Sequence, residues 1–235
     1  MGRRKRLAAA AAAAALLPAT PAHAALFASG RDLTDPTRPA AIAEITRAVS
    51  VHAAPGGRSI GRLRPRTVFG SPARLAVLGR RADWLAVSTE VAGRTNRGWI
   101  RQTAAVELES TAYSVVISLS RRRLELRHGT RVVLRSRVAV GRPSNPTPTG
   151  RFGITDKLAG SRFGSAYGCC ILALSGVQTR LPPGWPGGDR LALHGTDTPS
   201  SIGQAASSGC VRVVERPLRE LMRRVPLGTP VLIRR

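Results

Sequence analysis

Residues 191–213 read LALHGTDTPSSIGQAASSGCVRV. The stretch opens on a strand-like LAL that delivers His194 at its end, crosses a Gly-, Ser- and Pro-rich connection, and arrives at Ser207-Ser208-Gly209-Cys210-Val211-Arg212. A thiol needs a nearby base to become a thiolate at neutral pH, and a strand-end imidazole facing a loop cysteine supplies one. Arg212, two residues beyond the cysteine, stabilises the thiolate further if its side chain folds toward the sulfur. Gly209 lets the backbone approach a substrate closely, so its N–H and that of Cys210 are candidate oxyanion donors.

Outward from this stretch the chain reads as strands. Upstream come SVVISLS, the turn SRRR, and LELRHGTRVVLRSRVAV, whose alternation predicts a hairpin with a Gly-containing turn at His128-Gly129. PSNPTPTGRFGIT follows as a rigid loop leading into the next strand. Residues 157–190 are rich in Gly and Pro and poorly periodic, which predicts a long covering loop. Downstream, ERPLRELMRRVPLGTPVLIRR predicts a short helix with Leu218, Leu221 and Met222 on one face, then a last strand VLI. Nearer the N-terminus, AVSVHA, the turn PGGRS, IGRL, RLAVLG, DWLAVST and GWI predict a small barrel with Trp84 and Trp99 as its core or groove aromatics. Residues 25–44 lack sustained periodicity and suit a linker or an N-terminal arm.

Taken in order, HGT, IG, S-x-G-C and VR resemble the L,D-transpeptidase catalytic domain, whose signature is a His-Gly-Thr strand end followed by an S-x-G-C-[IV]-R loop. The resemblance covers residues 112–234, since VVISLSRRRLEL, PTPTGRF and LGTPVLI also look like that domain. It implies a β-sandwich acting on peptidoglycan stem peptides, with Cys210 as nucleophile and His194 as general acid and base. Ser207 and Gly209 match the loop residues that hold the nucleophile, and Gly195 fits the backbone that orients His194. Ser208 and Arg212 complete the supporting or substrate-binding set. Many family members carry histidine where this chain has Ser208. Asp197 is available as an orienting acid, but the spacing does not require it. Residues 45–108 resemble a bacterial SH3-like domain through VSVHAAPGG, DWLAVS and GWI, which implies binding of wall peptide or positioning of the catalytic partner. The expected fold is therefore all-β: a small SH3-like barrel, then an L,D-transpeptidase-type sandwich with a short helix.

Charge and the first segment set the compartment. Residues 1–24, MGRRKRLAAAAAAAALLPATPAHA, have a cationic start, a short apolar stretch and an Ala-His-Ala cleavage site, the pattern of a secretory signal peptide. The apolar stretch is shorter than the roughly 20 residues that span hydrocarbon, so no stable membrane span is expected after cleavage. Lys plus Arg number 37 against 13 Asp plus Glu, a net charge of +24. Only Lys5 and Lys157 are lysines, so arginine dominates. Cleavage lowers the charge by four to +20, and on an exported chain that excess implies nonspecific attraction to anionic wall polymers rather than to nucleic acid.

Three cysteines are too few for a disulfide scaffold. Cys169 and Cys170 are open to three states in an oxidising compartment: free thiols, a vicinal bridge, or a disulfide trapping Cys210. Zinc held by these cysteines with His194 is disfavoured, because adjacent cysteines on a strand face opposite ways. No metal and no cofactor are expected. Two rival cysteine chemistries fit poorly. A sortase-like enzyme places its histidine much further upstream, and a papain-like hydrolase places cysteine before histidine. A degenerate domain that only binds wall remains the non-enzymatic alternative, and hydrolysis of the same thioester, carboxypeptidase activity, is the enzymatic one.

Overall fold

A computed structural model describes residues 35–185 and 187–235, so the leader reading at 1–24 lies outside the described residues. The described chain is all-β with a single α-helix. Its first sheet has seven strands: β1 (Ala40–Ile45), β2 (Val49–His52), β3 (Ser59–Leu63), β4 (Arg74–Arg81), β5 (Trp84–Ser88), β6 (Arg97–Arg101) and β7 (Val106–Thr111), in the order β3-β2-β6-β5-β4-β1-β7. Residues 40–44, expected to belong to a linker or arm, instead form β1. That strand is buried and paired on both sides, with β4 and β7. Its sequence AAIAEI hides this role, because a strand covered on both faces shows no polar alternation. The core beneath is made of small and aliphatic side chains such as Ile45, Val51, Leu85 and Ile100. Trp84 and Trp99 stay half-buried: Trp84 meets His52 edge-on with centroids 5.0 Å apart, and the Arg97 guanidinium lies 5.2 Å from the Trp99 ring.

One residue, Ala112, separates β7 from β8 (Tyr113–Ser118), the first strand of the second sheet. The others are β9 (Arg123–His128), β10 (Arg131–Gly141), β11 (Gly150–Ala159), β12 (Cys170–Val177), β13 (Arg190–His194), β14 (Ala205–Ser207), β15 (Val211–Val213) and β16 (Pro230–Arg234). They run in the order β14-β10-β15-β13-β12-β11-β16-β8-β9, and a further β9–β10 pairing wraps the sheet back on itself around the core. That pairing is the hairpin expected at His128-Gly129, with Gly129 at φ 58° supplying the turn. The helix α1 (Glu215–Arg224) buries Leu218 and Leu221 in this core, with Met222 partly buried against it.

The long covering loop expected over 157–190 is interrupted by structure. Strand β11 runs to Ala159, and β12 lies inside the interval as a central strand between β11 and β13, buried from Cys170 to Gly176. Its run CILALSG is apolar on both faces, so the period-2 signal that marks a half-exposed strand is absent. What lines the cleft from this interval is two shorter pieces: residues 160–169, carrying the 3-10 turns Gly160–Arg162 and Ser165–Tyr167, and the described residues 178–185 and 187–189 between β12 and β13.

The two sheets are joined by buried polar contacts. Ser88 Oγ and Ser175 Oγ lie 2.6 Å apart, and Asn96 Nδ2 donates to Ser88 Oγ and to the Arg151 carbonyl, both at 2.8 Å. Arg190 Nη2 donates to Glu90 Oε1 at 2.8 Å, and Thr67 Oγ1 donates to the fully buried Asp156 at 2.5 Å. Hydrogen bonds between buried groups such as these fix the relative placement of the sheets, since any shift breaks them.

Candidate active site

Two parallel strands bring the candidate residues together. β13 pairs with β15 so that Leu193 lies opposite Val211 and His194 opposite Arg212, which sets the end of β13 beside the loop before β15. His194 and Cys210 line the same cleft, of about 450 Å³, together with Tyr167, Arg190, Ser207, Ser208 and Arg212. Cys210 is half-buried and its Sγ donates to the Arg190 carbonyl at 3.8 Å.

His194 is buried, 7% exposed, and its Nδ1–H donates to the Gly195 carbonyl at 2.6 Å. That bond fixes the tautomer, leaving Nε2 as the lone-pair nitrogen. Gly195 is in turn held by its own N–H, which donates to the Cys170 carbonyl at 3.1 Å. A Cβ on Gly195 would come within 2.9 Å of the Gly168 Cα and the Tyr167 carbonyl, so only glycine fits this crossing. The Tyr167 ring stands 5.0 Å from the imidazole, centroid to centroid. Asp197 is turned elsewhere: Ser165 Oγ and Thr198 Oγ1 each donate to its carboxylate at 3.0 Å.

The loop before β15 is clamped from below. Ser207 Oγ donates to the Cys210 carbonyl at 2.5 Å and accepts from the Gly209 N–H at 3.1 Å, bridging the bend that presents the thiol. The expectation of two oxyanion donors is corrected here. The Gly209 N–H is already committed to Ser207, which leaves the Cys210 N–H as the remaining candidate. Gly209 sits at φ 125°, and a Cβ there would collide with the Gln178 side chain. Ser208 lines the cleft, and its Oγ accepts from Arg142 Nη2 at 3.3 Å.

Three residues of this clamp were not signalled by the sequence. Thr147 Oγ1 donates to the Gly209 carbonyl at 2.8 Å and accepts from Gly141 N at 2.8 Å. Gln178 Nε2 donates to the Pro146 carbonyl at 2.9 Å and the Ser208 carbonyl at 3.3 Å. Asn145 Nδ2 donates to the Arg180 carbonyl at 2.7 Å. All three are buried polar side chains. The one available hint was polar Asn145 and Thr147 set among prolines in PSNPTPTG, a segment that otherwise reads as a plain turn. Substituting Gly209 with alanine is expected to lower stability by about 1–3 kcal/mol through the disfavoured φ, more if Gln178 cannot move aside. Thermal melting beside wild type measures it.

Burial sets the protonation of the pair. It pulls His194 down to about 4, opposed by the Gly195 carbonyl and reinforced by the Arg212 charge. It also pushes the Cys210 thiol up to about 11, against the stabilising pull of a backbone bond at Ala192 and of Arg212. At neutral pH the site therefore holds a thiol and a neutral imidazole. The expected thiolate stabilisation by Arg212 operates but is outweighed by desolvation.

The His194 shift makes stability depend on pH. The unfolded chain takes up a proton near 6.5 while the folded chain resists until about 4. Folding is thus unpenalised by this group above 6.5 and loses about 3 kcal/mol as pH falls to 4. Denaturant titrations from pH 7 to pH 4 are expected to show that loss in wild type and its absence in His194→Gln, the difference isolating the histidine from titrating carboxylates.

Cys169 and Cys170 form a vicinal disulfide, which selects one of the three open states and leaves Cys210 as the free thiol. Among the described residues no three His, Cys, Asp or Glu side chains converge to hold a metal ion, and no helix is long and apolar enough to cross a membrane.

Residues 112–233 match the family YkuD, described as an L,D-transpeptidase catalytic domain. The chain is 34% identical over 125 residues to the Bacillus licheniformis protein YkuD, which carries the name of an L,D-transpeptidase, covering 53% of this chain and 67% of that one. It is 33% identical over 123 residues to the Bacillus subtilis YkuD of the same naming, covering 52% and 66%. The chain thus spans about two thirds of the length of these relatives. Among solved structures, L,D-transpeptidase 3 of Mycobacterium tuberculosis with a faropenem-derived adduct aligns at TM-score 0.41 and 18% identity, over 59% of this chain and 73% of that one. An L,D-transpeptidase from Mycobacterium smegmatis aligns at TM-score 0.42 and 14% identity, over 69% and 90%. Because the family match takes in more than half of the sequence and contains both His194 and Cys210, the chain belongs to the YkuD family of L,D-transpeptidase catalytic domains.

Proposed function

We propose that this chain is an exported acyltransferase that cross-links peptidoglycan stems through a thioester on Cys210. The observation that carries the reading is the tautomer-fixed, neutral His194 sharing one cleft with the chain's free thiol. His194 Nε2 takes the Cys210 proton as Sγ attacks the carbonyl of the third stem residue, so thiolate is made only as it is consumed. The tetrahedral oxyanion is met by the Cys210 N–H, with Arg212 adding positive charge nearby. On collapse, imidazolium His194 gives its proton to the departing amine of the terminal D-alanine, and the acyl group stays on sulfur. An amine of a neighbouring stem then attacks the thioester and loses its proton to His194, releasing the cross-linked product and the free thiol. If water enters instead, a shortened stem results. The residue pieces over the cleft, 160–169 and the β12–β13 connection, bear on that choice by limiting water.

In this reading Ser207 and Gly209 hold the nucleophile, Gly195 orients the base, and Ser208 is a donor contact. The first sheet is an SH3-like companion, and the arginine excess retains the protein near anionic wall polymers. The deciding experiment is muropeptide analysis with and without the enzyme, alongside intact mass after carbapenem exposure. New links between stem diamino acids and a mass gain equal to the drug are expected. Shortened stems alone would replace cross-linking with hydrolysis, and unchanged muropeptides with no mass gain would leave a wall-binding module.

A further inference from the structure

The residues lining the active cleft come from position 158 onward with one exception, Phe69, which the first sheet supplies from the loop between β3 and β4. Phe69 and Cys210 pack against the same small apolar cluster, Leu158, Ile171 and Ala192. The Phe69 ring meets Phe163 edge-on at 6.0 Å, Phe163 meets Tyr167 at 6.1 Å, and Tyr167 reaches His194 at 5.0 Å, a continuous aromatic course from the first sheet to the catalytic base.

The loop that carries Phe69 is tied down at its root. Thr67 Oγ1 donates to Asp156 and accepts from the N–H groups of Phe69 and Ser71, both at 3.2 Å. Arg66 Nη1 closes the loop on the Gly70 carbonyl at 2.7 Å. Asp156 is fully buried in the second sheet, so this tether crosses the interface between the sheets. The Phe69 ring is half-buried and lines the cleft, so part of it remains open to a ligand while the rest packs on the core cluster.

We propose that Phe69 is a specificity-determining wall of the donor site, taking the unbranched methylene arm of a peptide side chain next to the carbonyl that Cys210 attacks. The proposal rests on the acyltransferase reading above for its substrate, but the wall itself can be tested without it. An aromatic face excludes water from a methylene arm and has nothing to offer a short polar side chain.

Two measurements on the full chain separate the wall from the reading. With tetrapeptide donors, Phe69→Ala is expected to raise KM about tenfold for a donor with a four-methylene arm, leave kcat within about twofold, and erase the preference over a one-methylene donor. With thiol reagents, Phe69→Ala is expected to slow labelling of Cys210 by N-benzylmaleimide several-fold relative to iodoacetamide, and Phe69→Trp to keep the wild-type ratio. Melting curves of each variant, with Phe69→Leu as the milder truncation, account for any loss of fold. An unchanged KM and an unchanged labelling ratio in folded variants overturn the proposal. A changed labelling ratio, in a protein whose wild type turns over neither donor, overturns the acyltransferase reading and keeps the wall.

Discussion

Replacing Cys210 with alanine is expected to abolish the carbapenem adduct and to reduce cross-link formation by a factor on the order of 10⁴ or more, since removal of the proposed nucleophile leaves only binding and oxyanion contacts. Neither of the other two cysteines nor Ser207 can substitute. Cys169 and Cys170 are bonded to each other, and the Ser207 hydroxyl is committed to the Cys210 carbonyl. The fold should survive, because Cys210 is half-buried and small, and the clamp on its loop is made by Ser207, Thr147 and Gln178 through backbone atoms that alanine keeps. Intact mass after drug exposure reads the outcome directly. An adduct that persists in Cys210→Ala at wild-type yield would move the nucleophile elsewhere. Cys210→Ser adds a finer test, since a hydroxyl in the same place is less acidic still and should also fail to acylate.

The second large effect belongs to His194, the proposed base. His194→Gln keeps a side chain of similar size able to donate to the Gly195 carbonyl, but removes the acceptor that Nε2 provides. General acid–base assistance of this kind is worth about 10²–10⁴ in rate, and that loss is expected in kcat with little change in KM. The pH dependence distinguishes the neutral pair from a resting thiolate–imidazolium pair. With the thiol pushed up to about 11, iodoacetamide alkylation of Cys210 should climb through pH 9 with no plateau between pH 5 and 8. A resting ion pair would give a plateau there. For turnover, activity should hold through neutral pH and fall only as His194 protonates on approach to about 4.

Much of this was legible in the sequence for a local reason. The His128-Gly129 hairpin, the helix bearing Leu218 and Leu221, and the meeting of His194 and Cys210 in one cleft each rest on signals within a few residues or on one ordered motif. What stayed hidden depends on contacts between distant positions. Strands β1 and β12 are covered on both faces, so their sequences lack the alternation that marks a strand. The clamp joins Thr147 to Gly209 and Gln178 to Ser208, and the bond between Glu90 and Arg190 spans 100 positions. Ser207 was readable as a loop residue, but that it consumes the Gly209 N–H is a matter of hydroxyl geometry that spacing does not encode.

The connection between the sheets consists of Ala112 alone, backed by the buried Ser88, Ser175 and Asn96 contacts. A joint so short and so filled gives the molecule the character of a caliper with a locked jaw rather than of two beads on a string. Any surface that rests against the outer strands of the first sheet is held at a set reach from the Cys210 sulfur. A lengthened joint, made by inserting flexible residues at Ala112, would have to break those buried bonds before that reach could vary.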